Sequence, residues 1–435
     1  MRRRLFPLGA AAALSAAALL LGGALHGSSQ PAGAVVASAG AVPSGFALGG
    51  STAQTVEQLQ AQLRQNPNDP HSYALLGLAY QQRARETGDP TYYSKSDGVL
   101  HRALALAPGD LLATSGLGSL ALSRHRFRAA LQLGRQALHL SPTTTRNYGV
   151  VGDALVELGR YAAAFRAFDK MASLRPGLAS YSRVSYGREL LGETAGAIQA
   201  MQMARDAATS EQEPTAWTHW QLGKLYWSIG RIGEAEHEYE ASLAAFPGYV
   251  YALDALAQVK AARGQIGHAI ELEQRAVDQI PLPQFVGPLG DLYRVSGREQ
   301  LAQRQYALIG AIERLLRANG VKTDLETALF DVDHGIRLSD SLALARLAQR
   351  ERPSIDGNDV LAWALYRNGR CGEALPYSRN ALRLGTRDAL KYFHRGMIER
   401  CLGHRAEGRR WLRRALGLNP HFSLLWAPVA RGALR

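Results

Sequence analysis

LGKLYWSIGRIGEAEHEYEASLAAFP, residues 222–247, reads as two short helices folded back on each other. Gly230, between Ile229 and Arg231, supplies the left-handed residue that ends a first helix, and Pro247 stops a second. Gly223 and Ala235 are small enough to let the two backbones approach closely. The same grammar recurs on a fixed grid. Pro108, Pro142 and Pro176 stand 34 residues apart, as do Pro247 and Pro281. Gly118 and Ala130 precede Pro142, and Gly152 and Ala164 precede Pro176; Gly159, Gly264 and Gly403 occupy the middle of further units. A period of this length marks stacked helix-turn-helix units, each burying its apolar face against its neighbours.

The spacing Leu222-Gly223-x-x-Tyr226, Ala235, Tyr239, Pro247 resembles the tetratricopeptide repeat, and so does Leu117-Gly118 to Ala130, Ala137 and Pro142. Laid over residues 71–420, the template gives about ten units, covering roughly four fifths of the chain. The resemblance implies an all-α, right-handed α-solenoid of about ten stacked repeats, used as a non-catalytic binding scaffold. Three departures mark the units hardest to place. The first carries an insertion around Arg85 to Tyr93, the fourth runs on through Glu211-Gln212-Glu213-Pro214, and the eighth has Leu329 where glycine is usual.

Composition agrees with one continuous solenoid. Ala, Leu and Arg dominate, apolar residues recur at helical spacing from Leu112 to Leu122, and alternating strand patterns are absent. Arg2, Arg3 and Arg4 precede an uncharged stretch from Leu5 to Leu25, followed by A-x-A cleavage candidates up to Ala41. Residues 1–41 therefore read as an export signal, either general secretory or, from Arg3-Arg4-Leu5-Phe6, twin-arginine. The stretch is also long enough to remain as an uncleaved membrane anchor. Residues 42–54 read as a spacer, 55–70 as a cap helix and 421–435 as a C-terminal cap or tail.

In this repeat family the first helix of each hairpin lines a concave groove. With the small residue at position 8, positions 2, 5, 9 and 12 give Trp217, Trp220, Lys224 and Trp227 in unit five, then Tyr251 and Asp254 in unit six. Unit nine gives Asp356, Asp359, Trp363 and Tyr366; unit ten contributes Phe393, Met397 and Arg400. Trp217 and Trp220 are surplus to the repeat's usual aromatic position, so they are expected as exposed groove aromatics for an extended or helical peptide. The bland alternative is that a tight superhelix covers them as core.

Charge is uneven. From Arg383 to Arg435 twelve Lys or Arg face three acids, a balance of +9, whereas Asp206 to Asp254 balances at −6. Arg405, Arg409, Arg410, Arg413 and Arg414 form a candidate basic patch for an anionic membrane surface, an envelope polymer or an acidic protein. No nucleic-acid motif accompanies the charge, so nucleic acid is not an expected partner. Cys371 and Cys401 fall on either side of the equivalent glycines Gly369 and Gly403 in successive units, which makes a disulfide possible in an oxidising compartment.

There is no P-loop, G-x-S-x-G or paired-cysteine spacing, and no enzyme or cofactor is expected. Asp331, Asp333 and His334 could ligate a metal only by converging with a further ligand, and residues this close on one helix point apart. The expectation is an extracytoplasmic scaffold for another exported or envelope protein or peptide. One alternative is a membrane-tethered factor whose basic end touches anionic lipid or polymer; another is a metal-handling protein or unrecognised hydrolase.

Overall fold

A computed structural model describes residues 51–208 and 212–435; the stretch read as an export signal and most of that read as a spacer lie outside them. The described residues form 22 helices and no strand. Helix α1 (Thr52–Gln65) precedes ten hairpins. These pair α2 (Pro70–Thr87) with α3 (Thr91–Leu106), α4 (Leu111–Ser123) with α5 (Phe127–Leu140), α6 (Thr145–Glu157) with α7 (Tyr161–Leu174), and α8 (Leu178–Leu190) with α9 (Thr194–Asp206). They continue as α10 (Gln212–Ser228) with α11 (Ile232–Ala245), α12 (Val250–Ala262) with α13 (Ile266–Gln279), and α14 (Pro283–Val295) with α15 (Glu299–Ala318). The last three are α16 (Asp324–His334) with α17 (Leu338–Glu351), α18 (Ile355–Arg367) with α19 (Cys371–Ala381), and α20 (Ala389–Cys401) with α21 (Arg405–Leu418). Helix α22 (Trp426–Leu434) closes the array.

Local sequence explains the hairpins. Gly159, Gly230, Gly264, Gly369 and Gly403 all have positive φ, between 68° and 83°, at the mid-hairpin turns. The second helices α5, α7, α11 and α13 are C-capped by Ser141, Arg175, Phe246 and Ile280, each one residue before a grid proline. Within a hairpin, the small residue of the first helix receives a ring from the second. A Cβ at Gly152 would stand 2.3 Å from the Phe168 ring, one at Gly223 2.3 Å from Tyr239, and one at Gly290 2.4 Å from Tyr306. All three contacts span 16 residues, so the unit packs the same way each time. Helix α1 starts at Thr52, inside the stretch read as spacer. Ser51 accepts from the Gln54 N–H while the Gln54 side chain accepts from the Ser51 N–H, a reciprocal cap that fixes the start.

The solenoid does more than stack neighbours. Its mid-hairpin tips in units two to five rest on the turns that follow units seven to ten. His125 bonds Lys322 O at 2.8 Å, Tyr161 Oη accepts from the Ile355 N–H at 2.7 Å, Thr386 Oγ1 donates to Leu190 O, and Asn419 Nδ2 donates to Trp227 O at 2.8 Å. These partners lie 192 to 197 residues apart in sequence. The tip glycines permit the approach: a Cβ at Gly159 would meet Pro353 O at 2.5 Å, and one at Gly192 would meet Gly385 O at 2.4 Å. Successive turns of the superhelix therefore touch along a seam. Arg352 anchors it, pairing with the fully buried Glu157 across the seam and with Glu326 at 3.0 Å.

Candidate functional site

The closed superhelix corrects the groove expectation. Trp217, Trp220, Trp227, Trp363 and Phe393 are between 0 and 5% exposed, and Asp254 and Asp359 are buried with them. Lys224, Tyr251, Asp356, Tyr366, Met397 and Arg400 are partly exposed. These residues do come together, but as filled interior. The Trp220 ring packs 5.2 Å from Tyr251, which in turn meets Phe285 at 5.6 Å, and Lys224 Nζ lies 4.9 Å from the Trp220 centroid. The first unit's insertion reaches this region, since Tyr93 packs in the same apolar cluster as Trp217 and Trp220, with Tyr251 against it. The insertion and the seam leave the aromatics no open groove.

The second cluster is closed by the C-terminal cap. Trp363 stacks between Tyr366 at 4.8 Å and His394 at 4.2 Å, while Trp426 of α22 meets it edge-on at 5.3 Å. Both indole N–H groups donate to Asp333, at 2.8 and 2.9 Å. Asp359 pairs with His394 at 2.9 Å, Asp356 with Lys391 at 2.8 Å, and Arg400 donates to Ala433 O at 2.7 Å.

Asp331, Asp333 and His334 diverge. Asp331 binds Arg337 at 3.0 Å, Asp333 takes the two indoles, and His334 binds Asp291 at 2.7 Å. Among the described residues no group of three His, Cys, Asp or Glu side chains could hold a metal ion. Cys371 and Cys401 are joined as a disulfide, their Cα atoms 6.2 Å apart.

Burial shifts a line of acids and a lysine in units four to six. Glu189 and Asp254 are each pushed up to about 7 and Lys224 down to about 8, because the low-dielectric interior disfavours their charged forms. Glu273, fully buried, is raised further by burial and by the neighbouring Asp254 carboxylate. A cavity of about 280 Å³ lies nearby, between Ala257, Ala261 and Leu292 on one side and Phe422, Leu424 and Pro428 of the C-terminal segment on the other.

The exposed feature is the basic face of α21. Arg405, Arg409, Arg410, Arg413 and Arg414 all face solvent. Arg410 pairs with Glu407, and Arg414 lies 4.8 Å from the Tyr392 ring and 5.3 Å from Trp411. Arg405, Arg409 and Arg413 have no acidic partner among the described residues, which leaves three charges a helical turn apart.

Sequence reasoning missed Glu157, Tyr161, Arg352 and Thr386, the residues of the seam. Two signals stood in the chain: His125 takes φ 54° at a tip where other units use glycine, and the turns at 319–323 and 382–388 lack the grid proline.

A tetratricopeptide-repeat family model matches residues 218–249, which fall in the fifth hairpin and the turn after it. No curated protein matches the chain. Among solved structures, human IFIT1 in complex with m7Gppp-AAAA is 15% identical, with 76% of each chain covered and a TM-score of 0.49. The type IV pilus biogenesis factor PilW is 19% identical over 46% of this chain and 92% of its own, with a TM-score of 0.39. MamA is 20% identical over 38% of this chain and 94% of its own, with a TM-score of 0.30. The chain is a tetratricopeptide-like α-solenoid, and that statement rests on its own repeated hairpin geometry.

Proposed function

We propose that this solenoid is a non-catalytic extracytoplasmic scaffold that binds another exported or envelope protein or peptide, and that it does so on its outside. The observation that carries the reading is the arginine face of α21, where Arg405, Arg409 and Arg413 stand in one exposed row with no acidic partner among the described residues. An acidic segment of a partner is the complement of such a face, and steering by unpaired arginines raises association rates. The Cys371–Cys401 bridge supports export, because such bonds persist in oxidising compartments.

Affinity capture from an envelope fraction tests this, using the chain beside an Arg409→Glu, Arg413→Glu variant. A protein retained by the first, lost by the second and released by about 0.5 M salt supports the reading. Equal capture by both sinks the α21 surface. Binding of the chain to anionic vesicles, with no protein captured, would replace it with the membrane-tethered alternative.

A further inference from the structure

The cavity of about 280 Å³ beside the C-terminal segment is walled by helices α10, α12, α13 and α14 on one side and by the segment from Pro420 to Arg431 on the other. That segment is seated on the tip of unit five. Asn419 Nδ2 donates to Trp227 O at 2.8 Å, and Phe422, which lines the cavity, is 1% exposed. The cavity is therefore built into the closed superhelix. Most of its lining is apolar, with Ala257, Ala261, Leu292 and Leu424 beside Phe422. An apolar cavity of about 150 Å³ admits benzene, so this one has room for a ring with a short arm.

Three polar side chains of the lining keep bonding capacity in reserve. Asp291, 5% exposed, spends one oxygen only: Oδ1 accepts from the Tyr306 hydroxyl at 2.7 Å and meets His334 Nε2 at 2.7 Å, while Oδ2 accepts nothing among the described residues. Glu273 is fully buried, and neither of its carboxyl oxygens has a hydrogen-bond partner. The buried indole N–H of Trp227 is unpaired as well. Interiors seldom keep such groups unpaired, because each forfeits its bonds to water and regains nothing. His334 answers Asp291, but no cation bonds Glu273. Arg431, the cation of the lining, is exposed and donates instead to Pro420 O at 2.8 Å. Two carboxyls thus meet the cavity with one cation between them.

We infer that this cavity binds a small amine, its apolar ring held among Leu292, Phe422 and Leu424 and its ammonium group received by the carboxyls that line the wall. An ammonium offers three donors and no acceptor, which suits oxygens that lack partners, and it supplies the positive charge that Glu273 lacks. Burial raises the Glu273 carboxyl well above its usual range, and a cation beside it restores the charged form. A carboxylate head group would instead be set against Asp291 and Glu273, so anions of the same shape are excluded. The site lies apart from α21 and goes beyond the scaffold reading.

Calorimetric titration of the full chain with phenethylamine tests the site, beside phenethyl alcohol and 3-phenylpropionate, which carry the same ring on a neutral and an anionic head. Saturable binding of the amine is expected, at least tenfold tighter than the alcohol, with no binding of the propionate. Glu273→Gln keeps the shape and removes the charge; it should weaken the amine at least tenfold and leave the alcohol unchanged, and it breaks no bond of the fold. Ala261→Leu fills the cavity from α12 and should abolish binding of both, which decides the matter should the glutamine variant not fold. Four results overturn the inference: no saturable heat with the amine, equal affinity for amine and alcohol, tighter binding of the propionate, or amine binding undiminished in Ala261→Leu. Neither substitution touches α21, so this inference and the proposed partner surface fail separately.

Discussion

Helices α11 and α21 are both second helices of their hairpins, and each carries a run of like charge, but the chain answers only one of them. On α11, Glu234 pairs with Arg231, Glu236 with Lys260 and Arg263, Glu238 with His219 at 2.7 Å, and Glu240 lies 3.9 Å from Lys260. On α21, Glu407 meets Arg410 and the other arginines meet solvent or aromatic rings. Residue counting gives both segments a strong balance, −6 and +9, and treats them alike. Geometry separates a charge that holds the fold from a charge left for something else.

That separation is broken most severely where an answered charge is buried. Arg352→Met should cost about 3–5 kcal/mol, because Glu157 and Glu326 would remain in the seam without a counterion. Chemical denaturation measures the loss, and faster amide exchange around Ile355 would show that it starts at the seam. A loss below about 1 kcal/mol would mean that the turns of the superhelix do not depend on this pair.

Replacing Cys371 and Cys401 together by serine should cost about 3 kcal/mol. The bridge closes a loop of 30 residues, and its removal returns that freedom to the unfolded chain. This sharpens the comparison, since the bridge spans the two units that carry the basic end. Stability lost without any change at α21 binding would separate scaffold from surface.

The hairpins were legible in the sequence because their determinants are local and typed: Gly230 for positive φ, Gly223 for a ring's approach, Pro247 for a stop. The pairing of Cys371 with Cys401 was legible only as an open possibility, from two cysteines flanking equivalent glycines in successive units. The seam was not legible. Glu157 and Arg352 lie 195 residues apart, and neither is unusual for its position in the repeat. Trp217 and Trp220 were read as exposed because the repeat template supplies an open groove, and nothing in unit five reports that unit one reaches into it. Arg409 and Arg413 kept their expected exposure because the outer face of a second helix depends little on how the superhelix closes.

A smaller effect comes from a carboxyl whose charge is disfavoured by burial. Asp254 titrates at about 7 in the folded chain against about 3.8 when unfolded. A raised carboxyl pKa means that the folded state holds the proton more firmly, so stability falls as pH rises from about 5 to 7. Asp254→Asn should flatten that slope, by about 2 kcal/mol across the interval. Denaturation curves at pH 5, 6 and 7 would show it, and parallel slopes in variant and wild type would remove Asp254 from the account.

The smallest effect is expected at α21 itself. Arg409→Glu with Arg413→Glu inverts two charges that touch no acid, so stability should stay within about 0.5 kcal/mol of wild type. The matching change on the answered face, Glu236→Lys, sets two cations against a third and should cost about 1 kcal/mol or more, since Lys260 and Glu236 are both largely buried. Urea midpoints of the two variants measured side by side put the comparison at its narrowest. If α21 proves as sensitive as α11, its arginines serve the fold, and the surface proposed for a partner loses its support. If it is silent while α11 is not, the chain maintains an exposed row of cations that contributes nothing to its own stability, as a face used for recognition would.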